Sequence, residues 1–309
     1  ALLARCWTKT ESLKKVLFIA LHRPDRSPGQ RFRFEQYFDY LEANGFDCEL
    51  SYLITKEEDK VFYSKGNYWK KAMLMRKYIK QRRRDAKRAS QFDIIFIFRD
   101  ALPTGSIKYE KKFKASGAKL VYDFDDAIFV LNMSDGNKAL SFLKRPEKTG
   151  DIISLCDMVF AGNQYLADYA AQFNNNIKII PTTIDTDEYQ RVEKEKDKVC
   201  IGWSGSVTTI QHFKFAIPFL EKIQEKYGDK VYFKVIGDGS YVNEQLNIQG
   251  IGWTKEGEVE ELSEFDIGIM PLPDDEWAKG KCGFKALQFM ALETPVLVSP
   301  IGVNETIVE

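Results

Sequence analysis

Paired cysteines are missing from this sequence of 309 residues: Cys6, Cys48, Cys156, Cys200 and Cys282 stand singly, with no Cys-x-x-Cys. That spacing excludes a disulfide framework and reads as reduced thiols in a cytosolic protein. Histidine is scarcer still, and His22 and His212 are too few and too far apart for a zinc site. No apolar run reaches transmembrane length, and the first residues lack the hydrophobic core of a signal peptide. A soluble cytoplasmic protein, or one peripheral on the inner face of a membrane, is expected. Net charge is also absent, since Lys+Arg and Asp+Glu each number 45. The overall balance therefore points to neither nucleic acid nor an acidic partner.

What the sequence does hold is a series of short apolar runs separated by longer amphipathic stretches. Val16–Leu21, Ile94–Phe98, Leu120–Tyr122, Met158–Ala161 and Ile177–Ile180 are bounded by polar residues, as buried parallel strands are. A charged run, 188–198, reads as an exposed linker. The pattern then restarts with Val199–Trp203, Val231–Ile236, Ile248–Ile251, Asp266–Met270 and Val296–Ser299. Alternating strands and helices predict open parallel sheets with helices on both faces. The expected fold is α/β, two Rossmann-like domains facing across a cleft, divided as 1–190 and 191–309. Ligands of such sheets lie beyond the carboxyl ends of the strands.

Most of the chemistry follows the run Asp266–Met270. After a Pro271/Pro273 loop carrying Asp274, Asp275 and Glu276, the chain reads Gly280-Lys281-Cys282-Gly283-Phe284-Lys285-Ala286-Leu287-Gln288. From Phe284 this predicts a buried helix, apolar almost all round, ended by Pro295. Lys281, Lys285 and Gln288 fall on one side of it. A lysine on a buried helix is costly unless an anion meets it, and a helix start after Gly283 offers backbone N–H groups to one. Both lysines snorkelling to solvent is the other physical reading. Upstream, Trp203-Ser204-Gly205-Ser206 and Gly237 end two strands with small residues and hydroxyls that let backbone approach a phosphate.

These segments, with Met290-Ala291, Pro295-Val296, Gly237-Asp238-Gly239 and Pro181-Thr182-Thr183-Ile184-Asp185, resemble the donor-binding region of family 4 glycosyltransferases of the GT-B fold. The chain departs from that pattern where Gln288 and Gly280 replace two glutamates and Glu293 replaces a glycine. It is similar to members carrying Gly-Lys-Cys-x-Phe-Lys. The resemblance implies transfer of a hexosyl or related glycosyl group from a nucleotide diphosphate sugar, with the anomeric configuration retained. It implies donor contacts from Trp203, Ser204, Gly205, Ser206, Gly237, Lys281, Cys282, Gly283, Phe284, Lys285 and Gln288, with Lys281 and Lys285 stabilising the departing diphosphate. It also implies further strands and a final helix after Glu309, so the second domain is expected to be incomplete. A catalytically silent nucleotide-sugar-binding subunit and a sugar-nucleotide epimerase are the alternative readings.

Three features mark the first half. The loop from His22 to Arg33 is rich in Gly, Ser and Arg, which suits an anion, and Arg31 and Arg33 are its candidate donor contacts. Asp123, Asp125 and Asp126 follow a strand and repel one another unless compensated, with Arg99 as a candidate neighbour. Acceptor binding by Arg99, Asp123 and Asp125, general-base catalysis by Asp125 or Asp126, and a metal compete there with simple helix capping by Asp125 or Asp126. Lys281 and Lys285 supply positive charge, so no obligatory metal or other cofactor is expected.

Finally, residues 65–88 hold eleven basic side chains against Asp85 alone. Tyr68, Ala72, Met75 and Ile79 recur at helical spacing, predicting a basic amphipathic helix that suits an anionic membrane surface or, equally, ordinary packing on the core with a solvated basic face. No nucleic-acid-binding motif accompanies it. A glycan or lipid-linked acceptor, as in polysaccharide biosynthesis, fits that location.

Overall fold

The computed structural model describes residues 13–130, 145–193, 195–206 and 209–308. Thirteen strands occur among them: β1 Lys14–Ile19, β2 Phe46–Ser51, β3 Ile94–Phe98, β4 Lys119–Phe124, β5 Met158–Ala161, β6 Ile177–Ile179, β7 Val199–Ser204, β8 Val231–Gly237, β9 Val242–Asn243, β10 Ile248–Gln249, β11 Ile251–Gly252, β12 Ile267–Met270 and β13 Val296–Val298. The chain forms two compact Rossmann-like units. Their described residues are 13–123 with 145–159, and 124–130 with 160–193, 195–206 and 209–308.

In the first unit β1 to β4 run parallel in the order β2-β1-β3-β4, with Phe18 opposite both Leu50 and Phe96. Ile94–Phe98 is a strand because Ile, Ile, Phe, Ile and Phe suit a sheet covered on both faces. Its rings join a cluster in which Phe18 lies 5.1 Å from Phe34 and 5.0 Å from Phe96. β2 is absent from the expected strands. It alternates half-buried with exposed residues, Asp47 and Glu49 facing solvent, as an edge strand does.

The second unit is built on a parallel sheet of order β11-β8-β7-β12-β13. The run expected as one strand, Ile248–Ile251, divides in two: β10 pairs antiparallel with β9, whereas β11 joins β8. Two strand glycines admit rings against the sheet. A Cβ at Gly202 would lie 2.2 Å from Phe265, and one at Gly268 would lie 2.4 Å from Phe289. The 188–198 run is largely exposed, yet it is fastened to this unit. Tyr189 is buried, and Arg191 donates to Leu292 O and Thr294 Oγ1, each at 3.1 Å.

Two helices differ from expectation. Phe284–Ala291 is not buried all round, because Met290 is exposed. Its end is a Schellman motif in which Glu293 N–H donates to Met290 O and Thr294 N–H to Phe289 O. Glu293 there has φ 56°, the left-handed conformation that glycine adopts without strain. The basic helix spans Tyr68–Arg88, but its buried residues are Lys71, Tyr78, Arg82 and Asp85. Tyr68 and Ala72, half of the expected apolar stripe, are exposed. Arg82 causes the difference. Its guanidinium donates to Ala101 O (2.7 Å), Ala20 O (2.7 Å), Ser51 O (3.2 Å), Ser51 Oγ (2.9 Å) and Asp85 Oδ2 (2.9 Å). Three guanidinium nitrogens meeting five acceptor atoms make burial of this charge tolerable.

Candidate functional site

In the second unit, the turn Gly280–Gly283 is clamped between two segments of the same unit. Cys282 Sγ donates to Asp125 O at 3.1 Å, and Asn163 Nδ2 donates to Lys281 O at 2.9 Å. The fit is close: a Cβ on Gly280 would lie 2.6 Å from Ala127 Cβ. Gly283 is the N-cap of helix Phe284–Ala291. It is left-handed (φ 65°) and provides no side-chain cap for the first backbone N–H groups, and a Cβ there would lie 2.1 Å from Ile307 Cδ1.

Lys285 Nζ lies 3.4 Å from Ser204 Oγ and 3.3 Å from Gln288 Oε1. Gln288 is fully buried and held from behind. Its Nε2 donates to Tyr189 OH and to Glu258 Oε1, both at 3.0 Å. Glu258 also accepts from Trp253 Nε1 (2.8 Å) and from the Tyr189 hydroxyl (2.6 Å). Glu258 therefore fixes Gln288, and Gln288 orients Lys285. Lys281 has different company. Its ammonium lies 2.9 Å from Asp126 Oδ1 and 3.3 Å above the Trp277 ring.

The Ser204–Ser206 turn approaches β8 so closely that a Cβ on Gly237 would lie 2.2 Å from Gly205 O. Gly205 N–H donates to Ile236 O at 2.9 Å, which fastens the turn to that strand. Trp203 supports the turn from the core side. It is buried against Phe213, and a Cβ on Gly205 would meet its ring at 2.0 Å. Phe284, at the helix start, is half-buried.

In the first unit, Arg33 and Asp123 form a buried two-point ion pair: Nε to Oδ1 at 3.0 Å and Nη2 to Oδ2 at 2.5 Å. The charge of Asp123 is thus met by Arg33, while Arg99 donates its backbone N–H to Asp123 O at 2.9 Å. Arg99 has φ 61°, the kind of strained backbone that clusters at functional sites. Arg31 is buried with its guanidinium 4.7 Å from the Phe32 ring. The loop after β1 is tied down by Asp59, which accepts from Arg23 (2.6 Å) and Arg26 (2.8 Å). His22 Nε2 lies 2.6 Å from Tyr63 OH. Burial, reinforced by Arg26, lowers this imidazole to about 4.

The structure brings Lys281 and Asp126 together, and Lys285, Ser204 and Gln288 together. Glu258, Tyr189, Trp253 and Trp277 were not anticipated. Only Trp277 left a local signal, one helical turn before Lys281.

No protein-family profile matches the chain, and no curated protein matches it by sequence. Solved structures do. The apo form of the lipopolysaccharide outer core galactosyltransferase WaaB has TM-score 0.54 and 11% identity, with 93% of this chain and 81% of that one covered. An E. coli protein described as trehalose-6-phosphate, bound with UDP-2-fluoro glucose, has TM-score 0.60 and 9% identity, with coverages of 95% and 86%. An alpha-glucosyltransferase in complex with UDP and DNA has TM-score 0.59 and 14% identity, with coverages of 93% and 79%. A further match, TarM, is spanned over 42% of its length. The fold is that of the GT-B glycosyltransferases, with two Rossmann-like domains.

Proposed function

We propose that this chain transfers a glycosyl group from a nucleotide diphosphate sugar, with retention, to a hydroxyl of a glycan or lipid-linked acceptor. The observation that carries the reading is Lys285, held by Ser204 and Gln288 beside a helix start whose N-cap is the uncapped Gly283. An ammonium and a helix N-terminus are both groups that stabilise a departing diphosphate electrostatically. Bound UDP or UDP-sugar in the neighbours supports a donor of that class.

Calorimetric titration with UDP, GDP and ADP tests it. Loss of a charge-assisted contact is worth roughly 1.5–3 kcal/mol, so Lys285→Ala and Lys281→Ala should each weaken binding at least about tenfold. Unchanged binding in both variants would sink the assignment. We also propose that no metal is obligatory, because Asp123 is held by Arg33 and Asp126 by Lys281. Binding should survive a chelator, and its loss with recovery on adding manganese would argue otherwise.

Attachment to an anionic membrane through residues 65–88 is part of the same proposal. No helix among the described residues is long and apolar enough to cross a membrane. At 3.6 residues per turn, Trp69, Ala72, Met73, Arg76, Lys80, Arg83 and Lys87 share the side of the helix opposite Tyr78 and Arg82. All seven are exposed, Trp69 by 75%. Asp85, the helix's sole acid, is buried. Each basic residue near an anionic leaflet adds about 1 kcal/mol. Sedimentation with phosphatidylserine vesicles should be strong at low salt and weak at high salt, and absent with phosphatidylcholine alone. Equal behaviour towards both lipids would leave this face merely solvated.

A further inference from the structure

His212 lies in the short 3-10 helix Ile210–Phe215, and its backbone N–H donates to Thr209 O at 2.9 Å. The imidazole is 7% exposed, yet neither Nδ1 nor Nε2 has a hydrogen-bond partner among the described residues. Its ring stacks on Trp277, with centroids 5.6 Å apart and planes at 18°. Trp277 is the ring that the Lys281 ammonium approaches at 3.3 Å. Two buried, unanswered ring nitrogens thus sit one aromatic layer from a candidate diphosphate contact. Buried polar atoms without partners are rare in native proteins and call for an explanation.

We infer that His212 is a binding residue for the nucleotide sugar, hydrogen-bonding one of its hydroxyl groups. The inference rests on the reading of Lys281 and Lys285 as diphosphate contacts. Burial and then the nearby Lys281 charge push the imidazole below its ordinary range, so it is neutral at pH 7. A neutral imidazole offers one N–H donor and one acceptor nitrogen. Phosphate oxygens only accept, and they favour a cation. A hydroxyl both donates and accepts, and so can meet whichever nitrogen faces it.

The test compares the wild-type chain with His212→Phe, which keeps a ring on Trp277 and removes both nitrogens. Probes are UDP with UDP-glucose, GDP with GDP-mannose, and ADP with ADP-glucose. The variant should melt no lower than the wild type, because two unsatisfied polar atoms are gone. It should bind the preferred nucleotide sugar about tenfold more weakly, the size of one lost hydrogen bond. Loss confined to the nucleotide sugar assigns the contact to the transferred sugar. Equal loss for the nucleoside diphosphate assigns it to the ribose. Wild-type affinity in the variant, or weaker binding accompanied by a lower melting temperature, overturns the role of His212 alone. Failure of the wild type to bind any probe overturns the nucleotide-sugar reading itself.

Discussion

Replacing Arg82 with methionine is expected to destabilise the first unit by about 3–5 kcal/mol, the usual consequence of removing one partner from a buried ion pair. Methionine fills much of the volume, so the loss is electrostatic rather than a cavity effect. The carbonyls of Ala20 and Ala101 would lose this donor, Ser51 O would keep only the Ala20 N–H, and Asp85 would keep a buried charge. Arg88 offers partial relief, since it lies 3.2 Å from the other Asp85 oxygen. Lysine should not rescue, because three donors on a flexible stem cannot reproduce a planar fork that meets three chain segments. Urea denaturation reads the effect. A change below about 1 kcal/mol would mean that these hydrogen bonds do not hold the helix to the sheet.

Glu258→Ala should destabilise the second unit by about 2–4 kcal/mol. It would leave Trp253 Nε1, Gln288 Nε2 and the Tyr189 hydroxyl short of an acceptor in a buried place, and each such group costs about 1–3 kcal/mol before relaxation. A second readout separates scaffold from function. Gln288 Oε1 accepts from Lys285, so loosening Gln288 should also weaken nucleoside diphosphate binding at temperatures where the variant remains folded. Glu258→Gln should be milder on both counts, because its amide oxygen still accepts from Trp253. A folded Glu258→Ala protein with undiminished binding would break the proposed link from Glu258 to Lys285.

Ile94–Phe98 was legible because a strand buried on both faces must be continuously apolar, and so was Met158–Ala161, which is buried on one face, half-buried on the other and apolar throughout. β2 was not, since an edge strand tolerates Asp47 and Glu49. The existence of the basic helix was legible, but its orientation was not. Hydropathy assigns Arg82 to solvent, and only the carbonyls of three other segments make it an interior residue. At the candidate site, the Lys281–Lys285 spacing was visible locally. The partner of Lys281 was not, because Asp126 lies 155 residues away in sequence. Glu293 showed in the sequence only as a departure from glycine. In the structure Glu293 takes a left-handed conformation that glycine would adopt without strain.

The five acceptors around Arg82 also fix how the helix Tyr68–Arg88 is rotated about its own axis. Its outward charges are therefore a ruler rather than a cloud. Arg76, Lys80, Arg83 and Lys87 are spaced four, three and four residues apart, in a row about 16 Å long at 1.5 Å per residue. A flexible basic tail responds only to the sign and density of the charge it meets. A row anchored from behind also responds to the spacing of that charge, and matching it requires little further ordering of the backbone.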